Sequence, residues 1–260
     1  MSQSVSNRIL AAGREPLRHL GPLRGIFAGC QVSSPATFRQ CADEIKRAIE
    51  LNLLQLSDAT GQDRKQSILE GIESAIQIAA AAGEDMKRFS HRGTPLTEDQ
   101  ISALHLYSQE TDAERNVDSV YSLLNAALRS EDRSKVKSVK NYIWLLMTAL
   151  RLCPKTESKV LHRGVRADLS AQYENNRTVT WCQISSCTST IDVLENPLFL
   201  GTAGDRTIFS IELSSRSRAR CISDFSSMQH ENEVLLPPNT RLQVMRQAQV
   251  GIPRQPWHSC

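Results

Sequence analysis

His230-Glu231-Asn232-Glu233-Val234-Leu235-Leu236-Pro237-Pro238 sets two acids two residues apart at the head of an apolar, strand-like run. On an extended strand the side chains at i and i+2 point to one face, so both carboxylates look toward a single site. Like charges placed that way repel unless something uses them. Glu233 also abuts the apolar run, and an acid close to the buried part of a sheet calls for a partner or a chemical task. A solvated strand edge is the competing account of the same residues.

Working outward from this stretch, the C-terminal half of the chain is written in short β-rich runs separated by polar turns. They are Val160-Leu161-His162-Arg163-Gly164-Val165, Thr178 to Ile184, Thr207 to Ile211, Glu233 to Leu236, and Leu242 to Met245. Before Pro154 the periodicity is helical. Phe38, Cys41, Ala42, Ile45, Ala48 and Ile49 recur at three and four, and a second stripe, Ile68, Ile72, Ala75, Ile76 and Ala79, precedes Gly83. Leu96-Thr97-Glu98-Asp99-Gln100-Ile101 is a helix start: Thr97 caps, Gln100 completes a capping box, and Leu96 staples against Ile101. Two further stripes carry Val117, Val120, Tyr121, Leu124 and Leu128, then Val139, Tyr142, Ile143, Leu146 and Leu150, and Cys153-Pro154 ends the series. Helices first and strands second predict an α+β fold with a mostly antiparallel sheet system. No internal repeat is evident.

With 260 residues the chain can bury a sizeable core, and its net charge of +3 argues for neither nucleic acid nor a membrane surface. No apolar segment approaches the ~20 residues of a membrane span. The seven cysteines, Cys30, Cys41, Cys153, Cys182, Cys187, Cys221 and Cys260, are odd in number, irregularly spaced and without a CxxC pair, which predicts reduced, mostly buried thiols and no metal site. Residues 1–36 carry Arg8, Arg14, Arg18 and Arg24 against the single acid Glu15 and lack the apolar core of a classical signal peptide. They read as a flexible basic leader: a targeting segment, the leader of a secreted effector, or a plain disordered tail. Residues 37–90 read as a helical extension.

Two polar features in the strand half invite partnership with the acid pair. Arg163 ends an apolar strand just before Gly164, and is either an edge-strand arginine bridging an acid or a planar donor for phosphate, with the glycine admitting the ligand to the backbone. Ser185-Ser186-Cys187-Thr188-Ser189-Thr190 follows the run that ends at Ile184, so it clusters hydroxyls where a strand is expected to stop. Turn chemistry explains that composition, and so does a site that orients a carboxylate or a ribose.

Taken together, Arg163-Gly164, Ser186-Cys187-Thr188 and Glu231-Asn232-Glu233 resemble, in order and spacing, the arginine, serine and glutamate triad of mono-ADP-ribosyltransferases of the arginine-specific, cholera-toxin-like branch. Leu96-Thr97-Glu98 to Tyr107, Tyr121 to Arg129, Tyr142 to Leu150 and the Glu-Val-Leu-Leu-Pro-Pro tail extend the likeness over roughly residues 90 to 250. The resemblance implies a split β-sandwich holding an NAD cleft, a catalytic domain at 91–252 and a short tail at 253–260. It implies NAD as substrate and an acceptor side chain on a target protein. Glu233 would stabilise the cationic ribose left when nicotinamide departs, Ser186 would hold Glu233 in register, and Arg163 would clamp the NAD phosphates. Gly164 and Thr188 would line the nucleotide, and Phe199 would stack on nicotinamide or else lie in the core. Glu231 would position an acceptor guanidinium and take its proton, with Ser226-Ser227-Met228-Gln229-His230 as the loop that meets the target.

Cys187 in the middle of the serine motif and His162 before the arginine depart from the usual pattern without removing a triad member. They leave the acceptor open between arginine and threonine or serine. Members of the superfamily modify host actin, small GTPases or ubiquitin, and the basic leader fits an effector delivered into a host cytoplasm. An NAD glycohydrolase and a non-catalytic protein-binding module of the same fold are the competing functions.

Overall fold

The computed structural model describes residues 10–11, 26–27, 30, 36–54, 62–90, 93–110, 119–191, 204–229 and 232–247. Six α-helices are described: α1 Phe38–Glu50, α2 Gln62–Asp85, α3 Glu98–Ser108, α4 Val120–Arg129, α5 Arg133–Lys137 and α6 Lys140–Leu152. The stripe predicted for α1 is its buried face, residue for residue. Thr37 and Gln40 close a capping box ahead of it, as Thr97 and Gln100 do ahead of α3. Leu96 and Ile101 are both buried in the helical core. None of the described helices is long and apolar enough to cross a membrane.

One stop signal is read differently by the fold. Gly83 does not end α2, which runs on to Asp85 and widens into a π turn at Met86–Ser90. A Cβ at Gly83 would lie 2.0 Å from Ser102 Oγ and 2.9 Å from the Glu98 carbonyl oxygen of α3. The glycine is there because two helix backbones approach closely, a contact outside the helix's own sequence.

Acids on neighbouring helices serve as long-range caps. The Phe38 N–H donates to Asp99 Oδ1 at 2.8 Å, tying the start of α1 to α3. At α6 the cap residue Val139 has no side-chain bond to offer, and the Asn141 and Tyr142 N–H groups donate instead to Glu44 Oε2 of α1, at 3.0 and 3.2 Å. Burial pushes the Glu44 carboxyl above its usual range, outweighing the pull of those two N–H groups and of Lys140. The folded chain therefore holds this proton more tightly than the unfolded one, and the stability it contributes is present in acid and lost as pH rises through the folded pKa. Thermal melts of wild type and Glu44→Gln should show the wild type gaining on the variant between about pH 7.5 and about pH 5. Parallel melting curves at both pH values would remove Glu44 from the acid response.

The strands are β1 Leu10–Ala11, β2 Val160–Val165, β3 Thr178–Trp181, β4 Ser185–Thr188, β5 Thr207–Glu212, β6 Arg220–Cys221, β7 Glu233–Leu236 and β8 Thr240–Gln243. They form a six-stranded sheet in the order β1-β2-β4-β7-β6, with β5 also paired to β2, and a separate β3-β8 ribbon. Among the described strands, only the β1–β2 pair is parallel. The run expected as one strand over 178–184 is broken: the chain leaves the ribbon at Trp181, crosses Cys182 to Ile184, and enters the large sheet at Ser185. Ser185 to Thr188, read as turn chemistry, is thus a fully buried strand beside β7.

Strand β7 is buried on both faces, which is why its run is continuously apolar instead of alternating. Leu235 joins the helical core, together with Ile184, Ile222 and Phe225. Val234 and Leu236 join a second core between sheet and ribbon, with Leu161, Val165, Tyr173, Trp181 and Cys187. Burial pushes the Cys41 and Cys153 thiols up to about 12, so both stay protonated and inert.

Candidate active site

Arg163 is not on a free edge. Strand β2 pairs along its whole length with β5 on one side and with β1 and β4 on the other. The arginine is 3% exposed, on the strand face shared with Leu161 and Val165. Its guanidinium lies 5.7 Å from the centroid of the Trp181 ring, and Nη1 donates to the Ser186 carbonyl at 2.6 Å. The β2–β4 ladder has one pair, His162 opposite Thr188. Beyond it the guanidinium bridges the two strands where main-chain pairing stops. A cation over an aromatic face with a charge-assisted bond to a carbonyl has its plane fixed before any ligand arrives.

Ser186 then carries the arrangement across the sheet. Its hydroxyl donates to Glu233 Oε1 at 2.6 Å while its carbonyl takes Arg163. The register explains why: Thr188 lies opposite Glu233 and Ser186 opposite Leu235, so Ser186 is the diagonal neighbour of the acid on the same sheet face. Glu233 is wholly buried, and its second oxygen, Oε2, accepts from Ser226 Oγ at 3.1 Å. Two hydroxyls thus fix both oxygens of the carboxylate. A carboxylate held in this way is suited to oppose a cation developing nearby.

Of the residues expected from sequence, Arg163, Ser186 and Glu233 are brought together through Ser186. Gly164 is buried in β2 opposite Ile208, and Thr188 is buried opposite Glu233. Phe199, Glu231 and His230 lie outside the described residues. The loop expected to face the target is turned inward in its first half. Ser226 bonds the acid, and the Ser227 N–H and hydroxyl bond Ser108 at 2.7 and 2.6 Å.

Several buried groups that hold this geometry gave no sign of it in the sequence. The Ile184 N–H donates to Asn125 Oδ1 at 3.1 Å, the Tyr107 hydroxyl donates to the Ile184 carbonyl at 3.2 Å, and Asn125 Nδ2 donates to the Tyr107 hydroxyl at 3.3 Å. Arg129 bonds Gln183 beside them. These side chains of α3 and α4 satisfy the backbone where the chain passes between sheets, two residues ahead of Ser186. The sequence hint was a tyrosine and an asparagine beside leucines in α3 and α4.

Comparison with known proteins bears on these elements together. The family described as NAD:arginine ADP-ribosyltransferase matches residues 35–254. Mono(ADP-ribosyl)transferase SpvB of Salmonella typhimurium is 24% identical over 173 residues, covering 56% of this chain and 26% of SpvB. The chain therefore spans about a quarter of the length of the curated relatives it matches. Among solved structures, the eucaryotic mono-ADP-ribosyltransferase ART2.2 superposes with a TM-score of 0.51 at 16% identity, covering 88% of this chain and 97% of that one. A mutant of ART2.2 in complex with NADH gives 0.53 at 17% identity, covering 86% and 97%. At such identities the likeness establishes the fold.

Proposed function

The chain belongs to the NAD:arginine ADP-ribosyltransferase family, and from that membership we propose that it transfers ADP-ribose from NAD to an arginine side chain of a target protein, releasing nicotinamide. The observation that carries this reading is the buried Glu233 carboxylate held by Ser186 and Ser226, with Arg163 on the Ser186 carbonyl.

NAD holds nicotinamide as a cationic leaving group on the anomeric carbon. When that C–N bond breaks, the electron pair leaves with nicotinamide and the ribose becomes oxocarbenium-like. Glu233 is assigned to the ribose, where its charge is worth most as the cation forms. Arg163 is assigned to the phosphates, for which a planar guanidinium is suited. Gly164, Thr188 and Phe199 are assigned to the nucleotide. A guanidinium acceptor is essentially always charged, so bonding its nitrogen to the anomeric carbon requires a base for the proton. We assign that role to Glu231, and with it the preference for arginine over threonine or serine.

The reaction is placed in residues 91–252. The helices of residues 37–90 support it, their apolar faces lying in the same core as α3 and α6. A host protein reached by a delivered effector is the target class proposed.

The test is labelled NAD incubated with a eukaryotic cell lysate, with wild type beside Glu231→Ala. Wild type is expected to label a protein on arginine, mapped by mass spectrometry. Glu231→Ala should lose that label by about two orders of magnitude or more, the scale of a lost general base, while still releasing nicotinamide. Nicotinamide release by wild type without any protein label identifies a glycohydrolase. Neither signal identifies a binding module and overturns the reading.

A further inference from the structure

Ser226 stands seven residues before Glu233, in a stretch whose composition suggests only an exposed turn. In the fold it is 1% exposed, and its hydroxyl is the donor to Glu233 Oε2 at 3.1 Å. We propose that Ser226 is a second positioning residue for the proposed reaction, fixing the carboxylate oxygen that Ser186 does not reach. This rests on the reading of Glu233 as the group that stabilises the ribosyl cation.

The hydroxyl is held from several directions, which separates it from an incidental turn serine. Ile222 donates its N–H to the Glu233 carbonyl at 3.0 Å, so the turn starts from a residue already paired with the acid's own strand. The Phe225 and Ser226 N–H groups both donate to the Ile222 carbonyl at 2.9 Å, closing the turn. The Met228 N–H donates to Ser226 Oγ at 3.1 Å, occupying its acceptor side and directing its proton to the carboxylate.

Beyond the turn, α3 clamps both flanks. His105 Nδ1 meets the Phe225 carbonyl at 3.3 Å, and Ser227 makes its two bonds to Ser108, whose own hydroxyl donates to the His105 carbonyl at 2.8 Å. A donor braced this way needs no reorganisation when charge develops, which is the property a positioning group requires. One serine alone leaves a carboxylate free to rotate about the bond it makes. Two serines on opposite oxygens fix its plane.

The experiment is steady-state nicotinamide release from NAD by the full chain, for wild type, Ser226→Ala, Ser226→Thr, Ser186→Ala and the double alanine variant, with thermal melts of each. Ser226→Ala is expected to lower kcat about tenfold, the scale of one hydrogen bond to a charged group, while KM for NAD stays within about twofold. Ser226→Thr keeps the hydroxyl and should restore most of kcat. In the double-mutant cycle the two serines should couple, because they hold one carboxylate.

Unchanged kcat in Ser226→Ala, strictly multiplicative losses in the double variant, or a loss that follows melting temperature and is not rescued by threonine would each overturn the proposal. Should wild type itself release no nicotinamide, the reading of Glu233 fails and this inference falls with it. An active wild type with an indifferent Ser226 rejects the inference alone.

Discussion

Glu233→Gln should reduce nicotinamide release by about two to three orders of magnitude in kcat and leave the melting temperature at or above that of wild type. Glutamine has nearly the shape of glutamate, so the β7 backbone and its pairing with β4 need not move. Its carbonyl oxygen can accept from Ser186, and its NH2 can donate to the second lone pair of Ser226 Oγ, beside the Met228 N–H. What disappears is the charge. In the folded protein that charge is wholly buried with a hydroxyl on each oxygen, and burying a carboxylate carries a desolvation cost that its neutral isostere avoids.

The two measurements therefore separate. A group kept for stability would lower the melting point when neutralised, and a group kept for transition-state charge would lower kcat alone, with KM for NAD little changed. Retention of kcat within about tenfold by Glu233→Gln would remove Glu233 from the chemistry.

Arg163→Lys is the second large effect expected, a fall of about two orders of magnitude in kcat/KM that comes mostly through KM for NAD. The substitution preserves positive charge and discards geometry. Lysine has no planar fork, cannot keep both the Ser186 carbonyl and a face of the Trp181 ring, and would place a strongly hydrated ammonium in a site 3% exposed. If charge alone held the phosphates, the variant would bind NAD nearly as well as wild type. Titration with NAD, followed by quenching of tryptophan fluorescence, reads binding separately from turnover. Wild-type affinity in Arg163→Lys would reduce the arginine to a structural tie between β2 and β4.

Parts of this organisation are legible residue by residue in the sequence because they rest on local periodicity. The buried face of α1 and the capping box at Thr97 follow from spacings of three or four residues, and the strands opened by Val160 and Glu233 from short apolar runs. Arg163, Ser186 and Glu233 drew notice because they stand on or beside apolar runs, and the family resemblance joined them into one proposed site. Gly83 follows the α2 stripe without ending the helix, and its reason lies on another helix. Ser185 to Thr188 stood open between a turn and a site because a serine-rich strand looks local and polar, whereas its burial comes from β7 on one side and packed layers on both faces.

By itself, then, the sequence determined the order of helices and strands, the acid that opens one strand and the arginine within another, because each is written in short-range pattern. Only the tertiary structure decided which hydroxyls reach that acid. Ser186 is 47 residues away along the chain and meets it through strand register, while Ser226, seven residues away, meets it through a turn that α3 braces from more than a hundred residues upstream. Contacts of that kind depend on how layers pack, and no spacing along a single strand or helix encodes them.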